Sequence, residues 1–113
     1  MTIKWVKVDP LVMRGEPFLY NTRLTVRQLL ELRRNGYGVA RLLTENPELR
    51  VVGIAQAYRY AAENRERYSE FFGRTGSLHG PGFTTAEAAA LPEELRIRGV
   101  VVARRTTSAR PAS

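Results

Sequence analysis

Apolar positions in this chain fall first into a short alternating stretch and then into three stripes at helical spacing. From Ile3 to Val8, Ile3, Trp5 and Lys7 lie on one side, and Lys4, Val6 and Val8 on the other, which predicts a strand. Asp9-Pro10 ends it, Leu11 to Met13 predicts a second short extended piece, and Phe18 to Tyr20 a further strand. An isolated hairpin is marginal in water, so these strands are expected to pair with each other or with a second subunit. The first helix is predicted from about Val26 to Asn35, with Val26, Leu29, Leu30 and Leu32 inward and Arg27, Glu31, Arg33 and Arg34 in solvent. Gly36 stands where a C-cap glycine belongs. A second helix, about Val39 to Glu45, buries Val39, Leu42 and Leu43, and Pro47 marks the break after it. The third is the longest, about Val51 to Phe72, with Ile54, Tyr58, Ala61, Tyr68 and Phe72 on one stripe. Gln56, Arg59, Glu63, Arg67 and Glu70 fall opposite, and Arg59, Glu63 and Arg67 are spaced for i,i+4 ion pairs.

The corner from Gly15 to Leu30 is specified locally. Pro17 holds Glu16 extended, Asn21 enters the left-handed region readily, and Thr25 with Gln28 has the spacing of a capping box. Residues 73–82, G-R-T-G-S-L-H-G-P-G, read as a linker. Thr84 or Thr85 then caps a short helix over Ala86 to Leu91, and Ile97 to Ala103 predicts a strand. The last ten residues carry three arginines and no acid, which reads as disorder. The predicted fold is mainly α: a small three-helix, helix-turn-helix-like domain over 1–73 with short N-terminal strands, and a C-terminal extension over 74–113.

Charge changes the picture more than composition does. Eighteen Lys and Arg against eleven Asp and Glu give +7, which favours an acidic partner, nucleic acid first; an arginine-rich composition inherited from a high-GC genome is the alternative. Without cysteine there is no disulfide, thiolate metal site or cysteine nucleophile. The start, M-T-I-K-W-V-K-V, is too short and charged for a signal peptide and no run approaches a membrane span, so a cytoplasmic protein without membrane contact is expected. His79, the single histidine, lies in the linker and is expected in solvent. Glu63, Glu66 and Glu70 share a helix with Arg59, Arg65 and Arg67 and read as surface pairs. The expectation is no enzyme, no cofactor and no metal.

The second and third helices, joined by N-P-E-L, have the proportions of a helix-turn-helix, whose second helix reads the major groove of double-stranded DNA with polar side chains near its start. Arg50, Gln56 and Arg59 are the candidate DNA contacts, with Val52 available for a thymine methyl. Arg23 is expected in a structural ion pair with Asp9 or Glu16. The apolar third helix is too long for a core of two short helices, so a homodimer is expected, burying Tyr58, Tyr68 or Phe72 or pairing the N-terminal strands.

The order V-D-P, G-E-P-F-L-Y-N-T-R-L-T-V-R-Q-L-L, N-G-Y-G-V-A-R-L-L-T-E-N-P-E-L and I-A-Q-A-Y-R-Y-A resembles the family called domain of unknown function 433, over about Val6 to Asn64. Gly15, Pro17, Thr22, Arg23, Gly36 and Pro47 are among the matching positions, while Asn21 replaces a usual glycine and Asn46 a usual aromatic. The resemblance implies a winged-helix or homeodomain-like fold and an antitoxin of the VapB type, encoded beside a PIN-like ribonuclease toxin; it implies no catalytic residues. On that reading the tail wraps the toxin, Val100, Val101 and Val102 adding a strand to its sheet while Arg104 and Arg105 meet its acidic side chains. The competing expectations are a tail that packs on its own domain, and a protein-interaction module that does not bind DNA.

Overall fold

The computed structural model describes residues 5–103. It opens with β1 (Val6–Lys7) and β2 (Phe18–Leu19), an antiparallel pair in the register Val6–Leu19 and Lys7–Phe18. Three helices follow: α1 (Val26–Arg34), α2 (Val39–Glu45) and α3 (Val51–Glu63). A short α4 (Thr85–Ala88) comes later. The domain is small and mainly helical, with α3 packed against α1, α2 and the hairpin.

Local chemistry starts α1 as the spacing requires. The Thr25 hydroxyl accepts from Gln28 N–H at 3.0 Å, and the Gln28 carboxamide accepts from Thr25 N–H at 2.9 Å. Asn21 turns the chain at φ 64°, and Gly36 closes α1 at φ 97° with its N–H on the Arg33 carbonyl at 2.9 Å. The stretch Leu11 to Met13 is no strand. The Val12 N–H bonds the Asp9 carbonyl at 2.9 Å, and Met13 and Arg14 both enter the left-handed region.

The third helix ends at Glu63, nine residues short of Phe72. Asn64 caps it, its side-chain amide donating to the Tyr60 carbonyl at 2.8 Å, and the chain leaves through turns into a 3-10 turn at Ser69–Phe71. That break rotates Tyr68 and Phe71 inward, both fully buried, and leaves Phe72 half-buried. A straight helix would have held Phe71 off the stripe.

Residues 74–103 fold onto the helices. Leu78, Phe83, Ala88, Leu91, Leu95 and Val100–Val102 share one core with Leu29, Leu42, Ile54, Tyr58 and Ala61. Thr84 and Glu87 form a second capping box, which starts α4 one residue earlier than Ala86. Ile97 to Ala103 is no strand: Gly99 turns at φ 87°, and the N–H groups of Val100, Val101 and Val102 converge on the Ile97 carbonyl at 2.8–3.2 Å. Phe83 meets this turn, its N–H on the Val101 carbonyl at 2.9 Å.

Arg33 departs most from expectation. Expected in solvent, it is 1% exposed. Its Nη1 donates to the Val100 carbonyl, its guanidinium lies 4.5 Å from the Tyr58 ring centre, and its Nε has no partner among the described residues. A Cβ at Gly80 would overlap the Arg33 carbonyl, and one at Gly82 would stand 2.8 Å from Nη2, so these two glycines let the chain close over the arginine.

Candidate nucleic-acid interface

Between α2 and α3 the turn is built from N-P-E-L. The Asn46 amide donates back to the Leu42 carbonyl at 3.1 Å, and the Leu49 N–H bonds the Asn46 carbonyl at 2.9 Å. Asn46 therefore serves as a polar stop for α2, a role the usual aromatic would not fill. Leu49, 2% exposed, wedges into the core and fixes the two helices to each other.

α3 is held on its inner side by Ile54, Ala57, Tyr58 and Ala61, all fully buried. Val52, Gln56 and Arg59, spaced i, i+4, i+7, form the opposite stripe and remain half-exposed. Two of the three candidate DNA contacts, Gln56 and Arg59, thus share a face with Val52. Arg50 sits exposed at the N-cap, off that stripe, where the chain enters the helix. Arg59 is not a bare cation: its Nε donates to Glu63 at 3.1 Å. Arg41 on α2 is likewise paired to Glu45 at 3.1 Å and lies 3.8 Å from the Tyr37 ring centre; the Glu45 hydrogen bond raises its pKa.

Arg23 makes neither expected ion pair. Glu16 is taken by Arg67 at 3.4 Å, and one Asp9 oxygen accepts the Leu11 N–H at 2.9 Å. Arg23 is exposed and lines an open cleft of 580 Å³ with Val12, Met13, Phe18 and Glu48. Val100, Val101 and Val102, expected on a partner's sheet edge, are 4%, 0% and 5% exposed within this chain's own core. Arg104 and Arg105 lie outside the described residues. His79 is exposed. Among the described residues no cluster of three or more His, Cys, Asp or Glu is placed to hold a metal ion, and no helix is long and apolar enough to cross a membrane.

Sequence reasoning missed Arg33, although the signal was present. Val26, Leu29, Leu30 and Arg33 are spaced i, i+3, i+4, i+7, so the helical period itself puts Arg33 on the inner stripe. Its charge alone argued for solvent. Burial lowers the Arg33 pKa, and it raises the Tyr58 and Tyr68 hydroxyls, which have no hydrogen-bond partner among the described residues, to about 12. An unfolded tyrosine loses its proton near ~10. Stability from these two groups is therefore complete below about pH 10 and is lost as pH rises through about 12. An absorbance titration should show Tyr58 and Tyr68 ionising late, together with unfolding. Ionisation of Tyr58 and Tyr68 near pH ~10 in a folded chain would contradict this burial.

No curated protein and no solved structure matches the chain. Residues 6–61 match the family model described as "Protein of unknown function (DUF433)", a stretch running from β1 to Ala61 in the last turn of α3. Through that stretch the chain belongs to the DUF433 family.

Proposed function

We propose that this protein is a DNA-binding antitoxin, which reads operator DNA through α2 and α3, neutralises a PIN-like ribonuclease and represses its own operon. The observation that carries the DNA half is the division of α3. One face is locked into the core by Ile54, Ala57, Tyr58 and Ala61, so the Val52, Gln56 and Arg59 stripe is presented in a fixed orientation. Fixed polar side chains on a helix are what base-edge recognition requires. The net charge of +7 supplies the attraction to phosphate. The toxin half is supported by the family resemblance. Its contact surface falls to side chains other than Val100–Val102, which the core already occupies.

Binding to the DNA upstream of the gene is expected to weaken steeply with salt, since each neutralised phosphate releases counterions. Gln56→Ala and Arg59→Ala should each relax sequence preference, at a cost of about 1–3 kcal/mol for each base-edge hydrogen-bonding pair removed. Fluorescence anisotropy against cognate and scrambled duplexes measures both. A parent protein that ignores DNA at low salt sinks the reading. It would leave the second one, a homodimeric protein-interaction module, which the neutralisation of Arg59 by Glu63 and of Arg41 by Glu45 favours.

A further inference from the structure

We infer that the outer edge of β1 is a contact surface for a second copy of this chain, centred on Val8. Among the described residues, the large hydrophobic side chains left exposed are Val8 at 57%, Leu11 at 94%, Val12 at 36% and Tyr20 at 45%. All four belong to the hairpin, within residues 8–20. Scattered single apolar residues are ordinary on a surface, but confinement of all of them to one element marks an interaction site.

The same element has an open backbone edge. The Tyr20 N–H donates to the Trp5 carbonyl at 2.8 Å, so Trp5 faces β2 across a hydrogen-bonded pair. Alternation then turns the Lys7 groups towards Phe18, and those of Val6 and Val8 away from the sheet. β2 is closed on its far side, where the Leu19 N–H donates to the Leu24 carbonyl at 2.9 Å and Val26 N–H to the Pro17 carbonyl at 2.9 Å. β1 has no such cover among the described residues. An unprotected edge beside apolar side chains is a template for strand addition.

The loop beyond β1 is ordered in a way that displays these side chains. Asp9 accepts from both Leu11 and Val12, through its side chain and its carbonyl, at 2.9 Å each. Met13 at φ 52° and Arg14 at φ 57° hold left-handed conformations that disfavour a non-glycine residue. Strain of that kind persists where the surroundings impose it, and it clusters at functional surfaces. Leu11 and Val12, which precede it in the same loop, are exposed.

Charge selects the occupant. Lys7 ends β1 and Asp9 follows two positions on, with the exposed Val8 between them. Antiparallel pairing about Val8 sets Lys7 of one copy across from Asp9 of the other, and repeats the match on the other side of the two-fold axis. The patch is complementary to itself, as an isologous contact must be. A strongly acidic partner would meet Asp9 at the centre of the patch. This contact goes beyond the DNA reading and does not depend on it.

The full chain has no cysteine, so one introduced thiol reports one position. A hydrogen-bonded antiparallel pair sets Cα atoms about 5.5 Å apart, inside the disulfide range of about 4.4–6.8 Å. Light scattering on the full chain should give a dimer at micromolar concentration. Val8→Cys should then form a covalent dimer under mild oxidation several times faster than Ala90→Cys, which carries an exposed thiol outside the hairpin. Val8→Asp should weaken the dimer at least about tenfold, as a charge in a dry contact does, with an unchanged circular dichroism spectrum. A monomer overturns the inference, whether or not it binds DNA or an acidic partner. So does a dimer in which Val8→Cys cross-links no faster than Ala90→Cys.

Discussion

Cutting the chain after Gly73 is expected to abolish cooperative unfolding. The excised segment covers the inner face of α3: Phe83 packs edge-on against Tyr58 with ring centres 6.3 Å apart, and the turn at Glu93–Leu95 also packs against α3. Its removal would expose Tyr58, Ala61 and the Arg33 guanidinium at once. A buried aromatic or aliphatic side chain contributes roughly 1.5–3 kcal/mol, and a whole domain is stable by only about 5–15 kcal/mol. Removing Phe83, Leu91, Leu95 and the three valines as packing partners approaches that total. Near-ultraviolet circular dichroism through a thermal scan makes the test. The shortened protein should show no sharp transition and should bind a hydrophobic dye. A sharp transition within a few degrees of the parent's would mean that residues 74–103 are dispensable for folding.

That outcome bears on how function is divided along the chain. A tail that detaches to wrap a toxin would have to release Val100–Val102 from the core, against the burial of all three. Side chains already at the surface can bind without that penalty. In the described residues, the exposed large apolar side chains are those of the hairpin, and α3 presents its half-exposed polar stripe.

Legibility in the sequence followed the range of the interactions. Both ends of α1, the capping box at Thr25, the reversal at Asn21 and the bounds of α2 are set by residues within four positions of one another, and each was readable. The shared face of Gln56 and Arg59 with Val52 was readable for the same reason, because an i, i+4, i+7 spacing is a local fact, while Arg50 falls off it. The end of α3 was not. Residues 64–72 continue an apolar period, and only Asn64 capping at Tyr60, with Tyr68 and Phe71 finding space under α1, decides for a break. The glycine-rich stretch failed more instructively. H-G-P-G has the composition of a linker, yet Gly80 and Gly82 are required by close packing on Arg33, more than forty positions earlier in the chain. Composition cannot tell a glycine chosen for freedom from one chosen for size.

Arg33→Ala is expected to destabilise the fold by about 3–5 kcal/mol, the range for emptying a large buried side chain and stranding its partner. Three effects add up. The Val100 carbonyl is left without its donor, the stacking on Tyr58 disappears, and a void opens beneath Gly80 and Gly82. One gain opposes them. The guanidinium is buried with no carboxylate partner among the described residues, and burial lowers its pKa, so removing it also removes a desolvation penalty. The balance is separable by a second substitution. Arg33→Met keeps most of the volume and discards the charge, so it should cost about half as much as alanine, leaving chiefly the orphaned carbonyl. Arg33→Lys should do no better than methionine, because a compact ammonium neither spreads over the Tyr58 ring nor sheds its water easily. Urea unfolding of the full chain at neutral pH ranks the three. Should Arg33→Ala cost less than about 1 kcal/mol, the arginine is not what holds residues 80–102 to α1, and packing of Phe83 and the valines alone accounts for the closure.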